Sequence, residues 1–248
     1  MAKYELVKSD FLVVETPQGR VKVYRIRALK AFGNVKKGEL GGYVQKPTNL
    51  DQNGNAWVSG DARVFEDAQV FRNAQVFENA QVFENAQVFG NARVSGNAQV
   101  FENARVSRDA QVFEDARVFG DARVFENAQV FENAQVFENA RVFENAQVSG
   151  DAQVFGNARV FGGAQVCGGA QITRPILQLS GCEFTANENG QGIIRFGCLD
   201  DTIEGWLASC EAIGKEHGYS PTEIAICKMF IDQVALMQKE YPLPTKEH

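Results

Sequence analysis

From Asn73 to Glu102 the chain reads NAQVFE NAQVFE NAQVFG NARVSG NAQVFE, and the same six-residue phrase runs from about Asn55 to Ile172. An Ala, a Gln or Arg and a Val recur in fixed phase, followed by Phe, then Glu or Gly, then Asn or Asp. A helix cannot use a period of six, because 3.6 residues per turn would scatter the valines around its axis. A strand can: within Ala92-Arg93-Val94 the outer two side chains point one way and Arg93 the other. The other three residues are enough to turn a corner. Three such sides close a coil of eighteen residues, and coils stack at the strand spacing of about 4.8 Å.

Burial energetics choose the frame. With Ala and Val inside, the core is apolar, whereas the opposite frame would bury rows of Gln and Arg at several kcal/mol per unpaired group. Val64, Val82, Val100, Val118, Val136 and Val154 are therefore expected to form one vertical ladder, with two more on the other sides. The Asn or Asp before each Ala is expected to take the left-handed dihedrals of the corner, and stacked Asn rows to form amide ladders.

The phrase resembles that of the hexapeptide-repeat proteins: an aliphatic residue, a small or acidic one, two free positions, a small residue and one more free position. Val94-Ser95-Gly96-Asn97-Ala98-Gln99 fits it, and the match covers nearly half the chain. The resemblance implies a left-handed triangular parallel β-helix; the handedness comes from it and not from the spacing. The departure is Phe after Val, where the family usually has Gly or Ala. The wording of the units and the short flanking segments also resemble the hexapeptide proteins of phages and prophages that are often labelled transferases.

The expected class is mainly β, in three parts: a hairpin cap (1–38), the solenoid (39–180), and a closing strand with a two-helix segment (181–248). Residues 3–15 and 21–28 read as strands joined by Thr16-Pro17-Gln18-Gly19-Arg20. Such a cap is needed because an open solenoid end exposes unpaired strand edges. Gly38 to Val44 should begin the first irregular coil, with Trp57 at an outward site. Beyond Ile172 the register breaks at Thr173-Arg174-Pro175. Residues 176–180 and 192–196 read as strands around a loop at 187–190. Ile203, Trp206, Leu207, Cys210 and Ile213 then fall at helical spacing, with Asp200 or Asp201 as N-cap and Gly218 as the stop. Ser220-Pro221-Thr222-Glu223 carries a capping box with Pro at the first helical position, opening a helix that runs to Tyr241-Pro242.

The 248 residues carry a net charge of -6, unevenly spread. Lys and Arg against Asp and Glu number ten to four in residues 1–46, nine to sixteen in 47–173 and six to eleven in the remainder. Such a distribution can steer partners but cannot name them. Lys30, Lys36 and Lys37 read as a solvated cluster, with anion binding as the alternative. No stretch approaches the length of a membrane span and the start does not read as a signal peptide, so a cytoplasmic, membrane-free setting is expected. The five cysteines, odd in number and without CxxC, suit a reducing compartment and spell no metal site.

The best-known enzymes of the family that the phrase resembles are acyltransferases, which use a histidine near the coils as base and bind acyl donor between subunits. Here the histidines are His217 and His248, neither of them in the solenoid. His217 precedes a helix-stopping glycine, where its charge suits the helix C-terminus. There is no phosphate loop, nucleophile elbow or zinc-ligand spacing. Catalysis is disfavoured, with no cofactor and no metal expected. A hexapeptide-repeat acyltransferase with an unusual base is the first rival, and an acidic rod that mimics DNA is the second.

The outer rows carry the functional reading. Phe65, Phe83, Phe101, Phe119, Phe137 and Phe155 form an unbroken file of roughly 24 Å at the coil spacing. It is expected either to be a self-supporting aromatic edge or, as favoured, to be buried against a second copy or another partner. Two further files are interrupted, one at Ser107 and one at Ser59, Ser95 and Ser149. On another side Arg105, Arg123, Arg141 and Arg159 stack one coil apart. They read either as a salt-bridge lattice with Glu84, Glu102, Glu138, Glu126 and Glu144 or as a strip for a partner's anions. The acidic balance disfavours nucleic acid. The expected role is a non-catalytic scaffold that binds protein or itself and forms a homo-oligomer, with a host protein of an infected bacterium as a candidate partner.

Overall fold

Two residues of each hexad are extended and the next three turn, and the whole middle of the chain follows from that. In a computed structural model, which describes residues 2–174, 176, 178–179, 186–188, 192–196 and 199–240, β1 (Tyr4–Thr16), β2 (Gly19–Ala28) and β3 (Leu40–Val44) precede twenty two-residue strands, β4 (Trp57–Val58) to β23 (Gln171–Ile172). The strands fall into three parallel sheets whose neighbours are eighteen residues apart, so that Val100 lies between Val82 and Val118. The chain is thus mainly β, a parallel β-solenoid with N-terminal antiparallel strands and two C-terminal helices. We call the sheet through Val100 face one, that through Val106 face two and that through Val112 face three. Every interior Ala and Val from Ala62 to Val160 is fully buried, as the energetic choice of frame requires.

The corners differ from expectation in one respect. The left-handed residue is the one before the Asn or Asp: Glu66, Glu78, Glu84, Glu114 and their equivalents have φ of 56–63°. Most corners close with a bond from the Ala N–H to the carbonyl three residues earlier, as Ala68 to Phe65 at 3.3 Å. An L-residue in this region costs about 1–2 kcal/mol, and the glutamates recover part of it. The carboxylate of Glu66 accepts the N–H of Glu84 at 2.9 Å, that of Glu114 the N–H of Glu132 at 2.8 Å, and that of Glu138 the N–H of Gly156 at 2.8 Å. Gly96 (φ 68°) solves the same corner without a side chain, in a place where a Cβ would stand 2.6 Å from the Glu114 nitrogen. The Asn and Asp rows do form ladders: Asn73 donates to Asn91 and Asn91 to Asp109, an acceptor-only carboxylate that ends the run.

At the N-terminal edge the carbonyls of the first coil have no preceding coil, and the cap supplies their donors. Tyr43 and Gln45 N–H groups reach Ala62 and Val64, Asn49 Nδ2 reaches Glu66 and Ala68, and Asp51 N–H reaches Val70. Lys3 Nζ donates to Ala56 at 2.8 Å, and Arg25 Nη1 to Gly60 at 3.2 Å. The hairpin β1–β2 extends face one through β3, which pairs with Arg63–Val64, and Tyr4, Ile26, Leu50 and Trp57 join the solenoid core. Trp57 occupies the expected outward position opposite Gln75 but is only 5% exposed, because Tyr4 and Phe32 cover it edge-on.

Burial lowers the Lys3 pKa to about 8, against a smaller opposing effect of Asp51. Between pH 8 and 10 the folded state therefore binds fewer protons at Lys3 than the unfolded state, and unfolding free energy should rise with pH across that window. Below pH 8 the lysine is charged in both states and that gain is lost. Urea midpoints on either side of the window should show the rise in the native chain, and Lys3→Met should remove it.

The C-terminal module has its own core. A four-stranded antiparallel sheet, β24 (Gln178–Leu179), β25 (Ala186–Glu188), β26 (Ile193–Phe196) and β27 (Leu199–Thr202), leads into α1 (Ile203–Glu216) and α2 (Pro221–Glu240). Ile194, Trp206, Phe230, Ile231 and Val234 pack together there. Three expectations change. Asn187 and Glu188 lie in a strand, not a loop, and Glu188 is fully buried against Arg174 through two bonds of 2.9 and 2.8 Å. The segment 199–202 is a strand. The N-cap of α1 is Thr202, whose Oγ1 accepts the Gly205 N–H at 3.0 Å, while Asp201 accepts the N–H of Thr202. Gly218 (φ 77°) ends α1, and Ser220 and Glu223 form the capping box of α2. Cys182, Cys198, Tyr241, Pro242 and His248 lie outside the described residues.

Candidate functional site

The exterior offers ordered columns whose members are fixed by the coil below. On face one's corner, Phe65, Phe83, Phe101, Phe119, Phe137 and Phe155 stack with ring centroids 4.9–5.1 Å apart and planes within 5°. Phe65 is 3% exposed because Val14, Val23 and Tyr43 of the cap cover it. The solvent-facing part of the file therefore runs from Phe83 to Phe155, each ring half-buried by its neighbours. The carboxylates beside this file are crowded: burial, then Glu102 and Glu66, hold the Glu84 carboxyl above the usual range.

Face two carries the arginines. Arg105, Arg123, Arg141 and Arg159 are register neighbours on successive strands and all are exposed. Among the described residues no carboxylate is paired with any of the four. The expected lattice is absent from the ion pairs of the described residues, and two of its acids are engaged elsewhere. Glu138 accepts a corner N–H, and Glu126 pairs with Arg108. Four uncompensated guanidinium groups one rung apart repel one another.

Face three holds a feature that sequence reasoning missed. Between the segment around Gly33–Val35 and the first rungs lies a groove of about 650 Å³, with Trp57, Gln75, Phe77 and Arg93 among its lining residues. The indole Nε1 of Trp57, buried in the groove wall, has no hydrogen-bond partner among the described residues. The Arg93 guanidinium lies 5.2 Å from the Phe77 ring centroid. The signal that could have found the place was there in the repeat: Ser59 and Ser95 leave Phe77 without ring neighbours, and Arg93 interrupts the glutamines of its face.

The C-terminal module encloses a smaller cavity of about 130 Å³, lined by Trp206, Cys210, His217 and Cys227 among others. Burial raises the Cys210 pKa, which keeps it a thiol. His217 is exposed at the C-cap of α1, where its N–H reaches the Ile213 carbonyl at 3.0 Å. Among the described residues no group of three or more His, Cys, Asp or Glu could hold a metal ion, and no described helix is long and apolar enough to cross a membrane.

Residues 86–102, 134–151 and 152–168 match the family model described as the YdcK β-solenoid repeat. Each matched stretch is about one coil long, which agrees with the eighteen-residue register of the sheets and supports a repeat β-helix family. No match is found among the curated proteins.

Proposed function

We propose that this chain is a rigid, non-catalytic rod that binds a carboxylate-rich protein through face two and pairs with another copy of itself through the Phe83–Phe155 file. One observation carries the reading: four exposed arginines stand on one sheet and, among the described residues, no acid is paired to them. Their mutual repulsion is relieved when a partner supplies the carboxylates, and bidentate guanidinium bonds give that contact its geometry. A protein partner is favoured over nucleic acid because the surrounding repeat, residues 47–173, has nine basic and sixteen acidic side chains. The resemblance to phage-type hexapeptide proteins supports a host protein as the partner, met in the cytoplasm of an infected cell.

Two measurements test it. Poly-L-glutamate should bind the native chain by fluorescence anisotropy, and Arg123→Glu with Arg141→Glu should weaken that binding on the order of tenfold or more. Unaltered binding, or tighter binding of single-stranded oligothymidylate, would count against the strip. For the file, Phe101→Ser, Phe119→Ser and Phe137→Ser together should lower the mass seen by light scattering. Serine is a fair replacement because Ser107 already holds the equivalent position of another file. An identical mass before and after would remove the file from any interface.

A further inference from the structure

The groove on face three is separate from the arginine face and is built from the irregular members of an otherwise uniform repeat. Outward positions of this face are Gln75, Gln111, Gln129, Gln147 and Gln165, with Arg93 the exception inside the solenoid and Trp57 the exception at its start. Both exceptions line the same groove. So does Phe77, the ring left single by Ser59 and Ser95. With no ring stacked on it, Phe77 offers its face to the Arg93 guanidinium, which holds a long side chain in one place before anything binds.

We infer that this groove binds a ligand bearing a single carboxylate, gripped by Arg93, with the rest of the molecule lying along the rungs toward Trp57. The size is right, since about 650 Å³ falls in the range of ligand clefts, roughly 300–1,000 Å³. The charge is right for a monoanion. Arg93 is the cation of the lining, and no carboxylate is paired with it among the described residues. Glu39, the acid of the lining, is turned to the Lys36 N–H at 2.9 Å. A dianionic phosphate would carry one charge more than Arg93 can offset and would stand near that carboxylate. Beside the guanidinium, Asn73 and Asn91 line the groove. Each amide gives one hydrogen to the ladder, to Asn91 and Asp109 respectively, and keeps its second for a ligand oxygen.

Such a carboxylate can belong to a small organic acid or to the end of a peptide, and the test separates them. Calorimetric titrations would use benzoate, an N-acetylated tripeptide with a free C-terminal carboxylate, the same tripeptide as its C-terminal amide, and inorganic phosphate. At least one of the two carboxylates should bind, with benzoate alone pointing to an organic acid and the peptide acid to a chain terminus; the amide should not bind. Arg93→Gln, which installs the residue of the neighbouring rungs and so preserves the coil, should weaken binding on the order of ten- to a hundredfold. The doubly reversed Arg123→Glu, Arg141→Glu chain should titrate like the native one, so failure of the face-two reading leaves this result standing. Silence of both carboxylates, tighter binding of phosphate, equal binding of the amide, or an Arg93→Gln chain that binds as well as native would overturn the inference.

Discussion

Arg174→Met should destabilise the junction between the solenoid and the helical module by about 3–5 kcal/mol, the usual cost of stripping one partner from a buried ion pair. Arg174 lies two residues beyond the last rung and is 6% exposed, and Glu188 sits fully buried on β25. Two parallel bonds of 2.8 and 2.9 Å join them. Removing the guanidinium takes two charge-assisted hydrogen bonds from a carboxylate held in low dielectric and shifts it toward its protonated form. Because the two sides have separate hydrophobic cores, the damage should appear as early hydrogen exchange in α1 and α2 while the coils stay protected. Replacing both partners, Arg174→Met with Glu188→Leu, should return most of the loss. Native-like exchange in the single variant would show that other contacts hold the module in place.

Val118→Asp should cost at least about 4 kcal/mol, since it places an ionisable group among fully buried apolar side chains with no partner in reach. Val118 is 0% exposed and stands between Val100 and Val136 on face one. The spatial pattern of the damage is as informative as its size. In a solenoid each coil touches only its neighbours, so protection should fall around residues 100–136 and persist in the cap. Val118→Thr, which keeps the shape and adds only a hydroxyl, should cost about 1–3 kcal/mol. Uniform loss of protection from Tyr4 to Ile172 would contradict a rung-by-rung architecture.

The rungs were legible because each hexad states the same burial problem and its only apolar solution is Ala and Val inward. Val100 needs no distant information beyond the next coil. What could not be read depends on segments that occur once. Glu188 looks like a loop residue until Arg174 is brought to it by a strand that the local sequence barely marks. Trp57 and Phe65 point outward by phase, yet the cap folds over both. The left-handed position falls one residue before the Asn or Asp that usually occupy that region, because here Glu66 and its equivalents take it and gain a backbone donor from the coil above. Phase alone aligns the arginine row, but nothing in the local sequence marks that Glu138 serves a corner and Glu126 an arginine of its own. The groove was signalled by irregularity, with Arg93 among glutamines and Phe77 between serines, and its wall at Gly33–Val35 lies outside the repeat altogether.

The edge chemistry of the first coil has a consequence for length. Lys3, Arg25 and Asn49 close that edge by bonding backbone carbonyls, which every coil presents alike. Nothing in the seal records how many coils follow it. Excising or duplicating one eighteen-residue unit would leave both terminal pieces intact and shift them relative to each other by one increment, 4.9 Å on the scale of the stacked rings. The chain is in that sense a gauge with countable graduations, whose reach can be reset by editing the gene in steps of six codons times three.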